Sequence, residues 1–239
     1  MGLAVVSGGG TGIGAATAAA LAEDGYDVVI VGRRAEVLAA TAARLRPAKV
    51  RTVVADLGIP AEVARAANEI GEAPVDVLVN NAGGNIGRGG DTLSDVDAYW
   101  RANLESNVLT AVLLTEALLP QLTRPGATVV AIGSVAAQRG GAGAYSAAKA
   151  ALHRWAFDLA TRLGPDGITV NVVSPGYVAQ TEFFGDRLGP DGHAARVAQS
   201  LVGRAGTPAD IVGAVRYLVG ARYVTGQVVA VNGGSLLGH

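Results

Sequence analysis

Apolar residues in this chain come in short, nearly unbroken runs separated by longer stretches with helical periodicity. The runs rich in β-branched residues fall at Leu3–Val6, Asp27–Val31, Val50–Val54, Val75–Val79, Thr128–Ile132, Thr169–Val173 and Gln227–Val231. A strand buried on both faces has no solvent side to mark with polar residues. Runs of this kind therefore predict a parallel sheet covered by crossover helices. The expected fold is α/β, a doubly wound parallel sheet of about seven strands in three α/β/α layers.

Turn and cap residues support the same segmentation. Gly25 follows a helix-like run from Ile13 to Asp24, at the place where a left-handed residue ends a helix. Thr207-Pro208-Ala209-Asp210 reads as an N-cap, a proline at the first helical position and an acidic third residue, and Ile211, Val215 and Leu218 then form an apolar stripe. Ala144 to Leu163 is a second clear helix. No repeat or linker divides the chain, so residues 1–239 are expected to form a single domain. Ala179 to Gly206 carries no clear element and is expected to be a long binding loop or lid, with Phe183, Phe184 and Leu188 as apolar lining.

Chemistry-bearing residues gather at the carboxyl ends of the strands. Ser7-Gly8-Gly9-Gly10-Thr11-Gly12-Ile13-Gly14 links the first strand to the first helix, where a bare backbone can approach a pyrophosphate at a helix N-terminus. At the end of the second strand, Val31-Gly32-Arg33-Arg34 has glycine where an NAD site usually has an acid. Arg33 and Arg34 either cap a solvated strand end or bind a 2′-phosphate, with Arg33 the preferred of the two. Asp56-Leu57 and Asn80-Asn81-Ala82-Gly83 end the third and fourth strands, and Asp56 is placed to meet an adenine amine. Ser134 follows the fifth strand. Tyr145 and Lys149 stand four apart on one helix face, where a cation beside a phenol favours the phenolate and suits the pair to proton transfer. Ser174-Pro175-Gly176-Tyr177-Val178 follows the sixth strand, with a bare glycine beside which a flat ring can lie.

Composition narrows the functional classes. The chain has 239 residues, 16% of them charged, and a net charge of −1, so no electrostatic footprint points to nucleic acid or to an anionic membrane. There is no cysteine, which removes thiolate nucleophiles and sulfur-ligated metals. His153, His193 and His239 form no metal-binding spacing, which argues against a catalytic metal. With no secretory pattern and no apolar run of membrane-spanning length, a cytoplasmic protein is expected.

The ordered set of Gly8, Gly12 and Gly14, then Asn80-Asn81-Ala82-Gly83, Ser134, Tyr145-x-x-x-Lys149 and Pro175-Gly176, resembles the short-chain dehydrogenase/reductase family from Leu3 to Gly234. The resemblance implies a Rossmann-type fold and hydride transfer between NADP(H), with NAD(H) as the alternative, and a carbonyl or secondary alcohol. It implies Tyr145 as general acid/base, Lys149 lowering its pKa and holding the nicotinamide ribose, Ser134 orienting the substrate oxygen and Asn107 completing a proton relay, while Asn103 has no assigned role. It extends the cofactor contacts over Gly8, Gly10, Thr11, Gly12, Ile13, Gly14, Arg33, Arg34, Asp56, Leu57, Asn80, Ala82, Gly83, Tyr145, Lys149, Pro175, Gly176, Val178 and Thr181. The helices around Asn107–Leu119 and Ala147–Leu159 match those that pair across a two-fold, so a homotetramer or homodimer is expected. His153, Trp100 and Trp155 are read as packing or interface residues, and Arg88 as a solvated loop residue or an anchor for an anionic substrate.

Three departures stand out. The Ser134 to Tyr145 interval is shorter than the family's, Thr181 falls one place later after Pro175-Gly176, and Asn232 replaces a frequent aspartate. The first two bear on the substrate pocket. A 3-oxoacyl-thioester reductase and a sugar, steroid or small-alcohol dehydrogenase remain open, as does a non-catalytic dinucleotide sensor or scaffold.

Overall fold

The seven apolar runs become the seven strands of one parallel sheet in the computed structural model, which describes residues 2–45, 49–183 and 188–238. The strands are β1 (Leu3–Ser7), β2 (Asp27–Gly32), β3 (Val50–Val54), β4 (Val75–Asn80), β5 (Thr128–Ile132), β6 (Thr169–Pro175) and β7 (Val228–Val231). Their order across the sheet is β3-β2-β1-β4-β5-β6-β7, with every pair of neighbours parallel. The helices among the described residues are α1 (Gly12–Glu23), α2 (Ala35–Arg44), α3 (Pro60–Ile70), α4 (Leu93–Leu104), α5 (Thr110–Leu118), α6 (Ala136–Arg139), α7 (Ala144–Leu163), α8 (Pro190–Val197) and α9 (Pro208–Gly220). A π-helical turn, Glu105–Leu109, joins α4 to α5.

Strand alternation divides the apolar side chains between two cores. Leu3 and Val5 of β1 face one, and Ala4 and Val6 face the other. The first core is closed by Val63 and Ile70 of α3, Leu114 and Leu118 of α5, and Leu152 and Leu159 of α7. Ala18 and Leu21 of α1, Leu38 of α2, and Ile211, Val215 and Leu218 of α9 close the second. Each fully buried leucine or isoleucine contributes about 1.5–3 kcal/mol, so both faces of the sheet are held by the helix layers packed on them.

The predicted caps form. Gly25 takes φ +90 just after α1, and Thr207 with Asp210 makes a reciprocal capping box at α9. A hydrogen bond from Arg204, then those from the Thr207 backbone and side chain, hold the Asp210 carboxyl well below the usual range. One expectation is corrected: the stretch from Ala179 to Gly206 contains a helix, α8, which starts on Pro190 and has no buried residue. Phe184 and His239 lie outside the described residues.

The order of the strands creates the crevice. From β1 the chain moves outward to β2 and β3, then returns to β4 on the other side of β1. The loops leaving the carboxyl ends of β1 and β4 therefore diverge and open a gap between them. No helix among the described residues is long and apolar enough to cross a membrane.

Candidate active site

Two loops form the floor of the crevice. After Ser7 the chain turns through Gly8–Thr11 into α1, so close to itself that a Cβ on Gly14 would lie 2.2 Å from the Gly8 carbonyl oxygen. Gly12 takes φ +53, a left-handed conformation that other residues adopt only with strain. The Ser7 hydroxyl accepts from the backbone N–H groups of Asn81 and Ala82, each at 3.0 Å. Asn81 Nδ2 donates in return to the carbonyls of Ser7 and Gly8, at 3.0 and 3.1 Å. Asn80 directs its side chain elsewhere. As the last residue of β4 it points its side chain into the helix layer, where Nδ2 donates to Thr115 Oγ1 at 2.8 Å, and the next residue, Asn81, takes the crevice wall.

Behind this floor, the π-helical turn and the end of α4 hold the chain after β4. Asn107 Nδ2 donates to the Gly84 carbonyl at 2.8 Å, and its Oδ1 accepts from the Gly84 N–H at 3.1 Å. Asn103 does the same for Ile86, at 3.0 and 3.3 Å. Both asparagines are fully buried. They replace missing backbone partners for an extended segment, which sets the position of Gly83 and Gly84 in the crevice.

Ser134 follows β5, and its hydroxyl accepts from the Ala136 N–H at 3.1 Å as α6 begins. The shortened loop that follows is tied at its far end. Tyr99 Oη accepts from the Ala144 N–H at 3.0 Å, and Ser146 Oγ accepts from the Ala142 N–H at 3.0 Å. The start of α7 is thereby fixed, and Tyr145 and Lys149 stand one above the other on it. Lys149 Nζ donates to the Ile132 carbonyl at 2.8 Å and lies 5.9 Å from the centroid of the Tyr145 ring. The ring of Phe183 packs at 5.5 Å from that of Tyr145.

Burial governs the protonation of this pair. It pushes the Tyr145 phenol up from 10.0 to about 12, against an opposing hydrogen bond with Ser134. It pulls the Lys149 ammonium down from 10.5 to about 8. The expectation that Lys149 depresses the phenol is therefore not met in the protein alone: the ammonium is turned to a carbonyl, and desolvation of the phenol is the larger effect. Near neutral pH both groups keep their protons. His153, one turn further along α7, is buried with its Nε2 lacking a hydrogen-bond partner. Burial first, and then the charges of Lys149 and Arg154, bring its pKa down to about 4.

These groups share one cavity of about 1080 Å³ along the carboxyl edge of the sheet. Gly8, Gly10, Thr11, Gly12 and Ile13 line one stretch of it, and Arg33, Arg34, Asp56 and Leu57 another. Ala82 and Gly83 form the floor, and Ser134, Tyr145, Lys149, Pro175, Gly176, Val178 and Thr181 complete the remaining walls. Gly14, Asn80 and Asn107 stand one layer back, where they shape the loops instead of lining the space.

Comparison with known proteins places this geometry. The family model for short chain dehydrogenase matches residues 2–188. The chain belongs to the short-chain dehydrogenase/reductase family. It is 37% identical to the short-chain reductase protein NovJ of Streptomyces niveus over 97% of this chain and 93% of that one. It is 34% identical to a galactitol 2-dehydrogenase (L-tagatose-forming) of Cereibacter sphaeroides, over 97% and 93%. Among solved structures, a Pseudomonas aeruginosa RhlG/NADP active-site complex superposes with a TM-score of 0.88 at 34% identity, covering 98% of this chain and 96% of that one. This short-chain dehydrogenase/reductase is an oxidoreductase.

Three further residues, Tyr99, Arg139 and Glu182, carry no motif that marks their place here. Tyr99 acts on the backbone N–H of Ala144, which no spacing rule flags. Arg139, on α6, lines the cavity and donates to Gln199 Oε1 at 2.9 Å. Glu182 also lines it and pairs with Arg34 at 2.7 Å. The place of Glu182 directly after Thr181 was the available signal.

Proposed function

We propose that this short-chain dehydrogenase/reductase moves a hydride between NADP(H) and a carbonyl or secondary alcohol, with Tyr145 as general acid/base. The observation that carries the reading is the convergence of Ser134, Tyr145 and Lys149 on the same cavity as the glycine loop. The residues fit a dinucleotide. Gly8, Gly10 and Gly12 leave the backbone bare beside the cavity, and the first turn of α1, which borders it at Gly12 and Ile13, has neither a side-chain cap nor an acidic residue, so its free N–H groups suit an anion. Arg33, with its side chain 77% exposed and 3.9 Å from Asp56, is held loosely enough to meet a 2′-phosphate. A solved short chain dehydrogenase from Burkholderia cenocepacia, 35% identical with a TM-score of 0.87, is likewise a complex with NADP.

In the reductive direction Ser134 and Tyr145 hydrogen-bond the substrate carbonyl oxygen. A nicotinamide held in the cavity would supply the hydride, and the Tyr145 phenol gives its proton to the carbonyl oxygen. A phenol with a pKa of about 12 is fully protonated at neutral pH yet acidic enough to protonate a developing alkoxide. Once it turns from the Ile132 carbonyl toward the phenolate left behind, the Lys149 ammonium stabilises it. Asn107 keeps Gly83 and Gly84 beside Lys149, where a Cβ on Gly83 would lie 3.4 Å from Nζ.

Names among the relatives span a rhamnolipids biosynthesis 3-oxoacyl-[acyl-carrier-protein] reductase and a cyclohexanol dehydrogenase, so the assay panel pairs a β-ketoacyl thioester with sugar alcohols and cyclic ketones. The same reading makes the enzyme cytoplasmic and homo-oligomeric, and the exposed Leu93, Trp100 and Leu104 of α4 supply apolar surface for a two-fold contact. The test is Tyr145→Phe. Turnover is expected to fall at least about 100-fold while NADPH binding persists; a variant that still turns over would remove Tyr145 from the chemistry.

A further inference from the structure

Glu182 makes the contact that spans the crevice. Its carboxylate accepts from Arg34 Nη2 at 2.7 Å and from Thr11 Oγ1 at 3.4 Å. It thereby ties the chain after β6 to the end of β2 and to the N-terminus of α1. The tie depends on the residue by which Thr181 is displaced. Gln180 takes φ 60, the one non-glycine residue with positive φ among those described. This left-handed turn absorbs the extra residue after Pro175-Gly176 and returns the chain to the glycine loop, where Thr181 Cγ2 would touch a Cβ on Gly12 at 3.3 Å. The next residue, Glu182, is then delivered to the α1 N-terminus, whose first turn has no acidic residue of its own.

A carboxylate so placed satisfies the groups that an incoming phosphate would use. We propose that Glu182 is a resident anion that competes with the 2′-phosphate of the dinucleotide for Arg34, and so sets how strongly this enzyme separates NADP(H) from NAD(H). The inference rests on the cofactor reading above. Arg33 is not part of the competition, because its nearest carboxylate is Asp56 at 3.9 Å. Arg34 becomes available only when Glu182 lets go. Either cofactor displaces the weaker Thr11 contact at 3.4 Å, but only the phosphorylated one competes for Arg34 at 2.7 Å, so Glu182 weakens NADP(H) binding more than NAD(H) binding.

Fluorescence titration of the purified protein with NADPH and with NADH tests this directly. In Glu182→Gln, NADPH is expected to bind about five-fold tighter, the upper end for an exposed ion pair, while NADH changes less than about two-fold. Glu182→Asp, which keeps the charge but shortens the reach, is expected to follow the glutamine variant. Equal tightening for both cofactors would move the effect to the shared pyrophosphate and overturn the proposal, as would no change for either. If Glu182→Asp instead behaves as the parent, charge in general and not the Arg34 contact is responsible, which also overturns it. The parent protein's own NADPH to NADH ratio tests the cofactor reading separately: tighter binding of NADH refutes that reading and this proposal with it, whereas a retained NADPH preference that Glu182→Gln does not change refutes this proposal alone.

Discussion

Lys149→Met should stabilise the fold while it abolishes turnover. The Lys149 ammonium is buried with one carbonyl as its hydrogen-bond partner and no carboxylate paired with it among the described residues. Its pKa falls from 10.5 to about 8. At about 1.4 kcal/mol per pKa unit, the buried charge costs the folded state about 3 kcal/mol at neutral pH, where both folded and unfolded chains hold the proton. Methionine fills a similar volume without charge. Leaving the Ile132 carbonyl short of a donor returns about 1–2 kcal/mol of that gain. The net is about 1–2 kcal/mol of added stability, or about 2–4 °C in Tm for each kcal/mol in a chain of this size. Between pH of about 8 and 10.5 the unfolded chain binds a proton at Lys149 that the folded chain has lost, so the stability of the parent protein rises with pH. The advantage of Lys149→Met should therefore be full below pH 8 and shrink as pH approaches 10.5. Urea titration of both proteins at several pH values, without cofactor, measures it. A variant no more stable than the parent at pH 7, or a gap that does not change with pH, would refute the account of Lys149 as a charge kept for function at the expense of stability.

Other residues give sharper structural readouts. Gln180→Gly should raise stability by about 1 kcal/mol by relieving a left-handed side-chain residue, seen as a higher urea midpoint; a drop would mean that no strain is stored there. Asn107→Ala should cost about 2–3 kcal/mol, because Gly84 loses partners for both its N–H and its carbonyl, and kcat should fall with it as Gly83 shifts beside Lys149. Gly14→Ala should abolish cofactor binding, since its Cβ would meet the Gly8 carbonyl oxygen at 2.2 Å, and isothermal titration with NADPH reads the loss.

The strands were legible in the sequence because the five inner ones are buried on both faces, and the edge strands β3 and β7, though partly exposed, keep β-branched runs bounded by turn residues, so pattern and fold report the same constraint. The same holds for α7 and for the capped start of α9. Helix α8 was not legible: none of its residues is buried, so it carries no apolar stripe to read. Asn80 and Asn81 form an adjacent pair that only strand alternation could separate, and the choice between them depends on where β4 ends. The protonation of Tyr145 depends on how deeply it is buried, with Phe183 packed against it from 38 residues along the chain, and no local motif encodes that. The Arg34–Glu182 pair joins positions 148 residues apart, beyond any spacing rule.

The widened turn at Glu105–Leu109 has a mechanical meaning. An unbroken α-helix from Leu93 to Leu118 would behave as a single rod, and any error of rotation or length at one end would be carried to the other. The wider turn interrupts that rod, and Asn107 Nδ2 bridges the break by donating to the Asn103 carbonyl at 2.9 Å. The two halves answer to different neighbours: α4 reaches the start of α7 through Tyr99, and α5 reaches β4 through Thr115. The turn works as a coupling that lets each half find its own seating. Substitutions that repack one half against its layer can be absorbed at this joint before they displace the other.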